Sequence, residues 1–128
     1  MTSSEVLLQH RTESLQGLYY HHEGVSSDAS LEAVCVSLEG GGRIFYSSAT
    51  DWTLMVDRCS DSEIPSWCYP PENWAVDRLP AEGRLLLGMC LAVDDVSNEV
   101  GEIVGKRIRY REETVEVLAG EPLRVAVY

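Results

Sequence analysis

Apolar and polar residues alternate with a period of two along much of this chain. Within 31–38, Val34, Val36 and Leu38 share one face, because successive side chains of a strand point to opposite sides. Within 107–111, Ile108 and Tyr110 share one face, while Arg107, Arg109 and Arg111 form a basic stripe on the other. Leu123, Val125 and Val127 repeat the pattern at the end. Gly40-Gly41-Gly42 between two such runs reads as a hairpin, since glycine reaches the positive φ that tight turns need. Arg111-Glu112-Glu113-Thr114 reads as the equivalent turn later on, and Gly120-Glu121-Pro122 breaks the chain before the last run.

The alternation recurs at a displacement of 71 positions. Leu15-Gln16-Gly17-Leu18 is echoed by Leu86-Leu87-Gly88-Met89, and Val25 by Val96. Ile44 and Tyr46 fall on Val115 and Val117, and Trp52, Leu54 and Val56 on Leu123, Val125 and Val127. Val36 and Leu38 match Ile108 and Tyr110 at 72, a difference that one residue in a hairpin turn absorbs. Any two alternating segments slide into some agreement, because strands share one period. The paired glycines and the four successive matches favour duplication. The chain therefore reads as an internal pseudo-repeat, 15–58 and 86–128, joined by a long loop 59–80.

Strands are expected near 16–23, 31–39, 43–49 and 52–58, and again near 87–94, 103–111, 114–119 and 122–128. Short helices are expected at 4–11, behind a serine cap, and at 72–78. The predicted fold is mainly β, or α+β with one or two short helices. Two similar four-stranded antiparallel units share one core, as a sandwich or a barrel-like form, because a lone four-stranded sheet leaves an apolar face open. Trp52 is expected in that core beside Leu54 and Val56. At 128 residues the chain is a single domain, 1–128.

No apolar run approaches the ~20 residues of a membrane span, and the first residues do not read as a secretion signal. The expected location is cytoplasmic. The cysteines, Cys35, Cys59, Cys68 and Cys90, do not have the paired spacing of a zinc site and are expected as reduced thiols. Cys35 and Cys90 read as buried small hydrophobes. Cys59 and Cys68 flank the long loop and are the pair that can meet.

Charge narrows the partners. The formal net charge is −11. Residues 1–105 hold five arginines against seventeen acids, and residues 106–128 hold five basic against four acidic groups. Such a field repels nucleic acid and anionic membranes and attracts a basic protein; acidity that serves solubility alone is the plainer explanation. The arginine stripe is expected to pair across strands with Glu116.

The loop 59–80 is the segment with no duplicate. It is rich in proline and carries Asp61, Glu63, Trp67, Tyr69, Glu72 and Trp74. Long connections in small domains are often functional. Tryptophan and tyrosine are common interface anchors, and prolines lower the entropy lost on binding. These six residues are the candidate partner contacts, with Trp67 and Trp74 alternatively plugging the core.

Chemistry with a recognisable signature is missing. There is no Gly-x-Ser-x-Gly, His-Glu-x-x-His or phosphate loop. His21 and His22 are adjacent and would face opposite sides of a strand, and His10 stands elsewhere. Asp94, Asp95 and Glu99 lack the order of a calcium loop. No catalytic, cofactor or metal residue is assigned.

The Asp51-Trp52-Thr53-Leu54 segment, the run Asn98-Glu99-Val100-Gly101-Glu102-Ile103-Val104-Gly105 and the closing strand 123–127 resemble a loose class of small acidic bacterial β proteins. Many of that class are immunity proteins for polymorphic toxins. The resemblance implies a single-domain inhibitor that binds and blocks a cognate basic toxin or nuclease, and it transfers no functional residue. Two other readings stand beside it. One is a small-molecule-binding β protein or small enzyme with Tyr20, His22 and Tyr46 lining a pocket. The other is an oligomeric structural component; monomer and homodimer both remain open.

Overall fold

The computed structural model describes residues 2–21, 29–40, 42–79 and 87–128. A helix α1 (Ser3–Gln9) is followed by strands β1 (Arg11–His21), β2 (Ala29–Leu38), β3 (Gly42–Ser48) and β4 (Leu54–Cys59). A 3-10 turn (Pro71–Asn73) then leads into β5 (Trp74–Arg78) and the short β6 (Gly88–Met89). The chain ends with β7 (Ala92–Ser97), β8 (Ile103–Arg109), β9 (Thr114–Leu118) and β10 (Arg124–Val127). These form two antiparallel sheets. The large one has the order β4-β3-β2-β1-β5 with β6 also on β1, and the small one β10-β9-β8-β7. They face each other as an open sandwich rather than closing into a barrel. Among the described residues no helix is long and apolar enough to cross a membrane.

Each sheet contains a four-strand meander, and the middle hairpins superpose in register. Val36 pairs with Ile44 across β2 and β3, as Ile108 pairs with Val115 across β8 and β9. The outer strands depart from the 71-residue spacing. Opposite Val36 stands Leu15, but opposite Ile108 stands Val93, so the structural counterpart of Leu15 is Val93. Gly88-Met89 instead joins the large sheet, pairing with Arg11 and Thr12 on the stretch of β1 that β5 leaves open. In the last strands Tyr46 meets Val56 whereas Val117 meets Val125, a slip of two that keeps every side chain on its face. Val25, Leu86 and His22 lie outside the described residues.

Alternation decides two cores. Val34, Val36, Leu38, Ile44 and Tyr46 of the large sheet meet Ile108, Tyr110, Val115 and Val117 of the small one. Val6 and Leu7 of α1 pack into the same core. Thr12 Oγ1 and Tyr110 OH share a buried hydrogen bond, 2.8 Å, between the layers. The opposite face of the large sheet is also apolar, with Leu18, Ala33, Cys35 and Phe45, and cannot be left in water. The opposite face of the small sheet is ionic: Arg107 grips Glu116 at 2.9 and 2.7 Å through Nε and Nη2, and Arg109 lies 3.8 Å from Asp94. One sheet therefore needs a cover on its far side and the other does not.

Three expectations are corrected. The helix expected at 72–78 is the 3-10 turn and β5: Pro70-Pro71 disfavour helix upstream, and Trp74 and Val76 alternate onto the apolar face beside β1. The loop 59–80 is thus partly a sheet strand. Trp52 is not in the core; it closes the β3–β4 turn with φ 65 and is 50% exposed.

Candidate partner-binding surface

The cover of the large sheet's far face is the crossover 60–73. Ile64 and Cys68 press onto Phe45, Cys35 and Leu18, and Cys59, Trp74 and Val76 complete the cluster. Arg43 Nη1 donates to the Glu63 carbonyl at 2.9 Å, pinning the start of the crossover to β3. Farther along, Trp67 Nε1 donates to Asp57 Oδ2 at 2.9 Å, tying it to β4. Trp67 meets Trp74 edge-on with ring centroids 5.4 Å apart, and Trp74 meets Tyr20 at 5.0 Å, distances at which aromatic pairs attract. Trp74 Nε1 is buried without a hydrogen-bond partner among the described residues, so this side chain is held by its rings.

The six candidate contacts separate into two groups. Trp67 and Trp74 are brought together as anchors of the cover; Trp67 keeps 36% of its surface exposed. Tyr69, two residues after Trp67, stands 83% exposed. Asp61 and Glu63 lie exposed at the foot of the crossover, and Glu72 lies exposed in the 3-10 turn at its other end. Packing and exposure therefore fall on different residues: the two indole rings lie against the sheet, and the carboxylates and Tyr69 face solvent.

No known protein family, curated protein or solved structure matches the chain.

The four thiols are free. Burial pushes Cys35 and Cys68 up to about 11, and it raises Cys59 and Cys90 as well. Protonated thiols are poor nucleophiles and poor metal ligands; Cys35, Cys59 and Cys68 pack in the far-face core and Cys90 in the core between the sheets. Among the described residues no three of His, Cys, Asp and Glu converge as a metal site. Asp94 faces Arg109 and Asp95 is hydrogen-bonded to Lys106, which disperses the acidic run 94–99. Tyr20 packs against Trp74 on the far face, whereas Tyr46 lies wholly buried between the sheets. They stand on opposite faces of one sheet and cannot line one pocket. His10 Nδ1 lies 2.9 Å from the Val6 carbonyl at the end of α1.

Sequence reasoning missed Trp52 as a surface residue. The signal was local: Thr50-Asp51 interrupts the alternation just before it, and a short acidic side chain there makes a turn by accepting from the backbone two residues on.

Proposed function

We propose that this chain is a non-catalytic, cytoplasmic protein-binding module of the immunity or inhibitor type, which covers a basic surface on a cognate toxin or nuclease. The observation that carries the reading is the crossover. It is pinned to the large sheet by Arg43, Asp57 and two tryptophans, yet it presents Tyr69 to solvent with Asp61, Glu63 and Glu72 along it. An exposed aromatic on a pre-ordered segment binds with little entropy to lose. Carboxylates around it and a net charge of −11 steer a basic partner into contact and repel polyanions. Resemblance to small acidic immunity proteins supports the same role.

The test is capture from the native host with the immobilised chain. It is expected to recover one basic protein in a stoichiometric complex. Reversing charge at Asp61, Glu63 and Glu72 together weakens that complex by at least roughly tenfold, about 1.4 kcal/mol. Recovery of an equally tight complex by the reversed variant removes the crossover from the interface.

A further inference from the structure

The β3–β4 turn holds a large aromatic side chain, Trp52, that stays half exposed. Trp52 N–H donates to the Ala49 carbonyl at 3.0 Å, and Asp51 Oδ1 accepts from Thr53 N–H at 3.1 Å and from its hydroxyl at 2.5 Å. This turn places Trp52 in the left-handed region, φ 65, which glycine and asparagine adopt cheaply and a bulky side chain does not. Trp52 gains little burial in return, being 50% exposed. Backbone strain of this kind clusters at binding sites and ligand clamps.

Trp52 stands on the rim of a groove of about 440 Å³ at one end of the sandwich, where Ser30, Glu32 and Glu121 also line the wall. Leu31 and Leu123 contribute to this groove and also to a second, largely apolar one of about 580 Å³ running along β10 past Leu118 and Val125. Ser48 fixes the wall between the sheets: its hydroxyl donates to the Gly120 carbonyl at 3.0 Å and accepts from Gly120 N–H at 2.7 Å. Ser30 donates to Glu32 Oε1 at 2.8 Å and orients that carboxylate. Among the described residues no lysine or arginine lines the Trp52 end, whereas Arg124 lines the second groove.

An indole that shares a groove with carboxylates attracts a cation, and more so where apolar side chains take the rest of the incoming residue. We propose that this groove receives an arginine or lysine from an extended basic segment of the partner protein. The cation lies against Trp52 beside Glu32 and Glu121, and a neighbouring apolar side chain lies on Leu31 and Leu123. Charge complementarity selects this occupant. The inference rests on the reading of the chain as a partner-binding module and adds a contact at the Leu54 end of β4, opposite the end from which the crossover departs.

The test uses the full chain and a short, end-blocked peptide of alternating arginine and leucine, followed by NMR. The peptide is expected to shift the Trp52 indole N–H and the Leu31 and Leu123 methyls saturably. Trp52→Gly keeps the net charge and relieves the turn. It is expected to keep or raise the thermal midpoint while weakening the peptide by roughly tenfold. Trp52→Asn, which also tolerates the turn, is expected to behave alike. The proposal is overturned by shifts spread evenly over the acidic surface, by unchanged binding in both variants, or by a lowered midpoint in both, which would make Trp52 a packing residue. Charge reversal at Asp61, Glu63 and Glu72 is expected to leave the peptide's shifts at Trp52 in place. Loss of those shifts in that variant alone sinks the groove and spares the crossover. A host partner indifferent to that variant, with the peptide still held at Trp52, sinks the crossover and spares the groove.

Discussion

Cys35 and Cys68 show what burial does to a single side chain in the second core. Their thiols are raised from 9.0 to about 11 with desolvation as the first cause. A thiol that ionises less readily when folded leaves stability intact below pH 9.0 and erodes it as pH climbs toward 11. Thermal midpoints measured across that window should fall, and the fall should be shallower in Cys35→Ala and Cys68→Ala than in the wild type. The tryptophans make a different point at the same scale. Trp52 precedes the alternating Leu54 and Val56 and was expected in the core, whereas Trp74 stood in the expected loop. Trp74 lands against Tyr20 because β1 offers it an open edge, and Trp52 lands in solvent because Asp51 turns the chain first. Trp74→Ala should cost roughly 3 kcal/mol in denaturant unfolding, the loss typical of a large aromatic removed from packing. Tyr69→Ala, at an 83% exposed position, should stay within about 0.5 kcal/mol. Equal losses would contradict the division between anchors and contacts.

Among the elements, the hairpins were legible and β5 was not. The β2–β3 and β8–β9 pairs follow directly from alternation and turn residues, and Val36/Ile44 and Ile108/Val115 meet as the spacing implies. β5 escaped because Trp74-Ala75-Val76 is too short to show a period, and its strand character comes from the edge of β1. Gly17 and its echo Gly88 part for a related reason, Gly17 pairing with Val34 and Gly88 with Thr12: a sequence match says nothing about which strand edge is vacant. The charged far face of the small sheet, by contrast, was foreseen in the pairing of Arg107 with Glu116. That hydrogen bond lowers the Glu116 carboxyl below its ordinary 4.5, with desolvation opposing it. Its contribution is therefore present above 4.5 and is lost as pH falls through the lowered value. Glu116→Gln should flatten the acid limb of the stability profile below its ordinary 4.5. An unchanged acid limb in Glu116→Gln would remove this pair as a source of pH dependence.

Seen as a whole molecule, two similar meanders carry unequal outer faces. The small sheet closes its own far side with ion pairs, and the large sheet borrows the crossover to close its far side with aromatics. That borrowed segment was visible in the sequence as the stretch without a duplicate, and its acids and aromatics were the candidate contacts. What the sequence did not carry was the split between Trp67 and Trp74 as anchors and Tyr69, Asp61, Glu63 and Glu72 as display, because that depends on which face of the sheet the segment crosses. The proposed role depends on the display. Its most direct test is the dissociation constant of the captured host protein measured against salt, for the wild type and for the variant reversed at Asp61, Glu63 and Glu72. Added salt screens exposed charge pairs. The wild-type complex should weaken steeply with salt, and the variant should be at least roughly tenfold weaker at low salt with a clearly shallower dependence. Coincident curves for the two proteins would contradict the crossover as the binding element.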